Sequence, residues 1–277
     1  MKSRQNKITW IGDIVGIISA IIIFIVPFIF MLLNSLKNRK EANLLTLLLP
    51  TEIEWENYKT IFEHNNGQIL VAFRNSILLA FFSVIGLIIV SSMAGYVLQR
   101  RKNKVTGFVN LLILSGLMMP PAILPTIWVL QRMNIYRTLF SMIFIEIALQ
   151  IPFTIMLYRG FVASIPTELE ESGYIDGCNK WQLFGKIVFP LLKPITATVT
   201  ILNAVTVFND FTHPLYFLPG KENVTVQLTL YNFMGKYSSS FNLLFANVIV
   251  ITIPMLVLFI FFNRRIIDGM VAGAVKG

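Results

Sequence analysis

The chain has 277 residues, of which 55% are hydrophobic and only 13% charged, with 23 basic against 14 acidic side chains for a net charge of +9. A soluble domain carries about twice that charge fraction. Together with a mean hydropathy of +0.70, this excludes an ordinary soluble enzyme, a disordered chain and a secreted scaffold, and the single Cys178 excludes an internal disulfide framework and a multi-cysteine metal site.

A membrane-crossing helix needs about 20 mostly apolar residues. Six stretches qualify: 11–33, 75–98, 105–130 (broken by Pro120, Pro121 and Pro125), 139–158, 195–218 and 241–262. The reading is an all-α integral membrane protein with six transmembrane helices. The first run is too long for a signal-peptide core and lacks a small-x-small cleavage site, so it is expected to stay as a helix. Between the first two spans lies a long segment, 34–74, with Glu41, Glu52, Glu54, Glu56, Glu63, Trp55 and Tyr58; a second long connection, 159–193, follows span four. Long loops are where function concentrates.

The basic residues sit beside apolar runs, which reads as topology-setting charge rather than a nucleic-acid surface. Lys2, Arg4 and Lys7, the tight Arg100, Arg101, Lys102 and Lys104 cluster, Arg159, Lys180, Lys186 and Lys193, and Arg264, Arg265 and Lys276 share one side. That makes fourteen, against nine on the other side, where Lys37, Arg39 and Lys40 oppose the trend. The richer side is expected to be cytoplasmic and to hold both termini.

From Ser164 the second connection runs S-I-P-T-E-L-E-E-S-G-Y-I-D-G-C-N-K-W-Q-L-F-G-K-I-V-F-P. Thr167 with Glu170, and Asn179 with Gln182, have the spacing of capping boxes for two short helices. Glu168, Glu170 and Glu171 suit the first turn of a helix, and Asp176-Gly177 is a stop signal. Such a pair, with Ser172 and Gly173 allowing close approach, suits docking onto another protein; an amphipathic helix lying on lipid fits the same grammar.

Ionisable groups inside spans are rare and usually functional. Span four has Glu146, Gln150 and Pro152; span five has Asn203, Asn209, Asp210 and His213. Asn203, Asn209 and Asp210 either face a translocation path or bond neighbouring helices, and Asp210 fits a structural or gating role better than direct solute contact. His213 has no second histidine nearby, so no metal site is expected. The proline cluster of span three reads as kinked packing. The chain also lacks G-x-x-x-x-G-K-[ST], so it carries no nucleotide-binding loop of that kind.

The second connection resembles the E-A-A-x3-G-x9-I-x-L-P signature of ABC importer permease subunits. Glu171 matches the glutamate, Ser172 and Gly173 replace the alanines, and Gly177, Ile187 and Pro190 match, with Phe189 in place of leucine. Asn209-Asp210-Phe211 with Pro214-Leu215, the ending from Asp268 to Gly277, and the 50–62 segment resemble the binding-protein-dependent, maltose-importer-like carbohydrate branch. The resemblance implies a type I ABC importer permease fold: 1–72 as first span plus extracytoplasmic segment, 73–265 as permease domain with its coupling loop at 164–190, and 266–277 as cytoplasmic tail.

It further implies that Glu170, Glu171, Ser172, Gly173, Asp176, Gly177, Ile187 and Pro190 form the coupling helix region, with Gly177 allowing the turn and Asp176 fixing it by a side-chain hydrogen bond. Gly273, Ala274, Val275, Lys276 and Gly277 would contact the ATPase. ATP and Mg would be bound by two partner ATPase subunits and no cofactor by this chain. A second, different permease subunit, an extracytoplasmic sugar-binding protein and membrane lipid would be its other partners, in a prokaryotic cell membrane. The solute would be a sugar or oligosaccharide. An ABC permease for another small polar solute is the alternative. An ion-coupled secondary transporter would need its own coupling-ion site and usually a repeat architecture, and a membrane enzyme would need clustered His, Asp or Glu, which the sequence does not display.

Overall fold

The computed structural model describes residues 13–234 and 240–274, with side chains through residue 261. The regular structure of the described residues is helical. The helices are α1 (Asp13–Ser35), α2 (Arg39–Ala42), α3 (Glu56–Glu63), α4 (Gln68–Arg100), α5 (Lys104–Met118), α6 (Ile123–Arg132), α7 (Leu139–Val162), α8 (Glu168–Ile175), α9 (Lys180–Leu191), α10 (Lys193–Asn209), α11 (Thr212–Phe217) and α12 (Phe241–Ala274). Of these, α1, α4, α7 and the 241–261 part of α12 are each long and apolar enough to cross a membrane.

Two expected spans depart from single helices. The third is cut into α5 and α6, whose axes differ by 114°. Proline lacks an N–H and pushes the preceding residue out of the helical region. Met119, just before Pro120, is accordingly extended at φ −84°, ψ 127°. The break is far sharper than kinked packing. The fifth span ends at Asn209, because Asp210 is extended and α11 restarts two residues on. With 17 residues α10 falls short of a full crossing; it forms a bent pair with α9, at 74°. Counting each bent pair as one span gives six.

The described chain packs as two bodies, divided at residues 70/71, 227/228 and 253/254. In the first, the 36–67 segment is folded rather than a free loop. Asn57 donates to the carbonyls of Ser35 and Lys37, both at 2.9 Å, and accepts from Asn242 at 2.7 Å. Lys37, 1% exposed, donates to the Thr46 carbonyl at 2.7 Å. Burial holds its ammonium below the ordinary value, partly offset by the Glu41 charge. This explains one of the three cations that opposed the topology count: Lys37 is a buried structural donor, not a surface charge.

The second body has two apolar clusters. One joins Leu79, Leu130, Met142, Ile145, Val207 and Phe217. The other joins Tyr158, Val162, Ile165, Val188, Leu192, Ile195 and Val199 and seats the α8–α9 pair. At the second cluster α4 and α7 approach closely at Gly95, where an added Cβ would lie 2.8 Å from the Tyr158 Cβ and 3.0 Å from the Arg159 nitrogen. Small residues permit such backbone contact between apolar helices.

Candidate functional site

The α8–α9 pair is built mostly by local chemistry. Helix α8 ends in a Schellman motif: Gly177, at φ +80°, donates to the Tyr174 carbonyl and Cys178 to the Gly173 carbonyl, each at 3.0 Å. Glycine takes this left-handed conformation without the Cβ penalty. Asn179 then caps α9, its Oδ1 accepting from the Trp181 and Gln182 nitrogens, while Gln182 returns a side-chain acceptor to the Asn179 nitrogen. The expected Asp176 side-chain bond is absent; backbone groups alone close the turn.

The expected Thr167 capping box is not formed either, since Thr167 is already helical and its side chain makes no cap. The reason is tertiary. Glu170 is drawn away to Arg100, whose Nε donates at 2.7 Å, and to the Tyr96 hydroxyl at 2.8 Å, while Arg100 also donates to the Ile165 carbonyl at 2.7 Å. The ion pair is largely buried. It fastens α8 to the end of α4.

The expected docking residues therefore divide. Glu170 and Gly173 are buried and Ile187 is half-buried. A Cβ on Gly173 would lie 2.4 Å from the Ile187 Cδ1 and 2.7 Å from the Leu183 Cδ1. Gly173 and Ile187 thus hold the two helices of the pair together, and Glu170 ties α8 to α4. Glu171, Ser172, Asp176, Gly177 and Pro190 are exposed, and beside them stand Ile175, 86% exposed, and Trp181, 74% exposed. A groove of about 410 Å³, lined by Tyr96, Arg100, Glu170, Tyr174, Trp181 and Phe184 among others, opens next to this face. Gly273 and Ala274 lie where only the helical backbone is described, and Val275, Lys276 and Gly277 lie outside the described residues.

Along α7 the polar residues of the fifth span also divide. Asn203 is 2% exposed and bonds Thr154 of α7 at 3.3 Å and the Val199 carbonyl at 2.9 Å. It pins α10 to α7 rather than lining a path open to solvent in this chain. Asn209 is exposed and accepts from Gln227 at 3.0 Å. Asp210 accepts from the Thr212 and His213 nitrogens with Oδ1 and meets His213 Nδ1 with Oδ2 at 2.6 Å. Glu146, 1% exposed, closes the group, and one potential ligand atom from each of Glu146, Asp210 and His213 lies within 4.8 Å of the others. The sequence concealed this cluster because its members sit 64 and 67 positions apart. Asp210 already spends both oxygens on His213 and the start of α11, so the arrangement serves first as a polar joint between α7 and the break in the fifth span.

Long apolar helices joined by buried polar contacts mark a multi-pass membrane protein. The family comparison gives it a class: residues 87–271 match the model of the binding-protein-dependent transport system inner membrane component, and the chain belongs to that family. It is 33% identical over 280 residues, covering 100% of both chains, to the melibiose/raffinose/stachyose import permease protein MelC of Bacillus subtilis. It is 30% identical over 278 residues, 99% of each chain, to the multiple sugar-binding transport system permease protein MsmG of Streptococcus mutans. In fold it matches a chain of a bacterial ABC transporter involved in the import of the acidic polysaccharide alginate. The TM-score is 0.81 at 19% identity, over 95% of this chain and 98% of that one. It is a permease subunit of the type I importer fold, a membrane component and not an enzyme.

Proposed function

We propose that this subunit forms half of the translocation path for a sugar or oligosaccharide. Its companions are a second, different permease chain, two ATPase subunits that bind ATP and Mg, and an extracytoplasmic sugar-binding protein. The carbohydrate class is supported by the substrates named for its relatives. Both termini and the α8–α9 pair face the cytoplasm, as the basic-residue asymmetry favours.

One observation carries the coupling role. The pair is bonded to the end of α4 on its inner side by Arg100–Glu170, is held together by the close packing of Gly173 on Ile187, and presents Ile175 and Trp181 uncovered on its outer side. A lever needs this division: a rigid root and an exposed contact face. Force applied to the face reaches α4 through the ion pair. It reaches α10 through the bend at Leu192, which is fully buried. From there it reaches the Glu146–Asp210–His213 joint and the broken end of the fifth span.

The test is uptake by the reconstituted complex over a panel of sugars and other small polar solutes. Glu171→Lys and Gly177→Asp are expected to abolish uptake while the chain still inserts in the membrane. Normal uptake by either variant would overturn the coupling role. Accumulation confined to a non-carbohydrate solute would favour the alternative substrate class, and accumulation by the isolated chain on an ion gradient would overturn both.

A further inference from the structure

Beside the root of the lever, on the other flank of α4, lies a cavity of about 430 Å³ between the start of α5 and α7. Arg101, Lys102, Lys104 and Arg159 line it, together with Asn103, Gly107 and Asn110, and no carboxylate does. The ion pairs among the described residues are Lys59–Glu56, Arg100–Glu170 and His213–Asp210, so none of these four cations is neutralised. Arg159 is held in place by neutral groups, donating to Gln99 Oε1 at 3.2 Å and to Asn110 Oδ1.

The start of α5 adds to the imbalance. Its first turn contains no acidic residue, its cap is the neutral Asn103–Thr106 box, and Lys104 stands at the positive end of the helix dipole, where a cation is unfavourable. Topology-setting charge accounts for basic residues near a membrane surface. It does not account for four of them around one cavity, with a guanidinium oriented by two amides. Below the cavity α5 buries none of its residues and presents Val105, Phe108, Leu111 and Leu112 outward. An added Cβ at Gly107 would meet nothing within 4 Å.

From this arrangement we infer that the cavity binds the phosphodiester headgroup of an anionic phospholipid, with an acyl chain lying along α5. Guanidinium and ammonium groups are the donors that hold phosphate oxygens, and basic pockets between spans on the cytoplasmic side suit such headgroups. The inference rests on the proposed orientation, which puts residues 100–104 on the cytoplasmic face, but not on the coupling role.

The test is native mass spectrometry of the purified importer complex titrated with phosphatidylglycerol or phosphatidylcholine. Wild type is expected to prefer phosphatidylglycerol. The exposed-residue variant Arg101→Gln/Lys102→Gln/Lys104→Gln should lower that affinity by about a hundredfold, since each cation near the surface contributes substantially. Gly107→Leu, which fills the cavity without touching a charge, should also weaken binding. A charge-matched control, Lys40→Gln/Lys59→Gln/Lys221→Gln, should leave it intact. Equal retention of phosphatidylglycerol by wild type and the first variant, or equal binding of the two lipids, would overturn the inference. Displacement of the lipid by millimolar inorganic phosphate would point instead to a free-phosphate site. Trp181→Ala should keep the lipid preference even where uptake is lost, so the two proposals fail separately. A reporter at Lys102 that reads external would remove the cytoplasmic placement.

Discussion

Helix α7 ends in two polar assemblies of different kinds. At one end the α8–α9 pair is shaped by neighbours in sequence: a Schellman turn at Gly177, a capping box at Asn179, and glycine-on-isoleucine packing fourteen residues apart. At the other, Glu146, Asp210 and His213 meet across more than sixty residues and brace a helix break. The first assembly leaves a side uncovered, and the second buries itself. The difference separates an open surface from a closed joint.

The largest effect is expected at the root of the pair. Arg100→Met leaves Glu170 as an unpaired, largely buried carboxylate and should cost about 3 kcal/mol. Thermal melting of the purified complex reads this, and Arg100→Met/Glu170→Met should recover most of the loss. Failure of the double variant to recover would mean that the ion pair is not the fastening. Gly173→Leu comes next: overpacking against Ile187 and Leu183 should cost about 1–3 kcal/mol and splay the two helices, with uptake lost. A Gly173→Leu complex with wild-type melting and uptake would remove the close-packing argument.

Gly177→Ala forces a Cβ into left-handed backbone and should cost about 1 kcal/mol, with Gly177→Asn costing less because asparagine tolerates that conformation better. Equal melting of both variants and wild type would show that the turn does not depend on φ. The smallest stability effect sharpens the contrast furthest. Trp181→Ala removes an exposed side chain and should leave stability within about 0.5 kcal/mol, yet uptake by the complex should fall severely. Retained uptake would strip the exposed face of its role.

The parts of this architecture written into short stretches of sequence were legible there. Apolar length located α1, α4, α7 and α12, Asn179-x-x-Gln182 located α9, and Asp176-Gly177 located its turn, because each signal lies within a few residues of its effect. The role of Glu170 is hidden from the sequence for the opposite reason. Its spacing from Thr167 matches a capping box, but Arg100, seventy residues earlier, offers a charged partner and prevails over the local cap. Asp210 looked like part of a continuous span because apolar length does not register where an aspartate turns back on its own chain to bond the nitrogens of residues 212 and 213. Lys37 looked like a topology charge because burial by the Thr46 carbonyl is a matter of tertiary folding.

On the coupling role proposed above, the outer face of the α8–α9 pair is where a partner ATPase delivers its work. Disulfide trapping tests it most directly, with Ile175→Cys in a Cys178→Ser background and cysteines scanned over the ATPase surface in the assembled complex. The expected result is a specific crosslink that blocks uptake and is reversed by reductant. Full uptake with no crosslink at any ATPase position would contradict it.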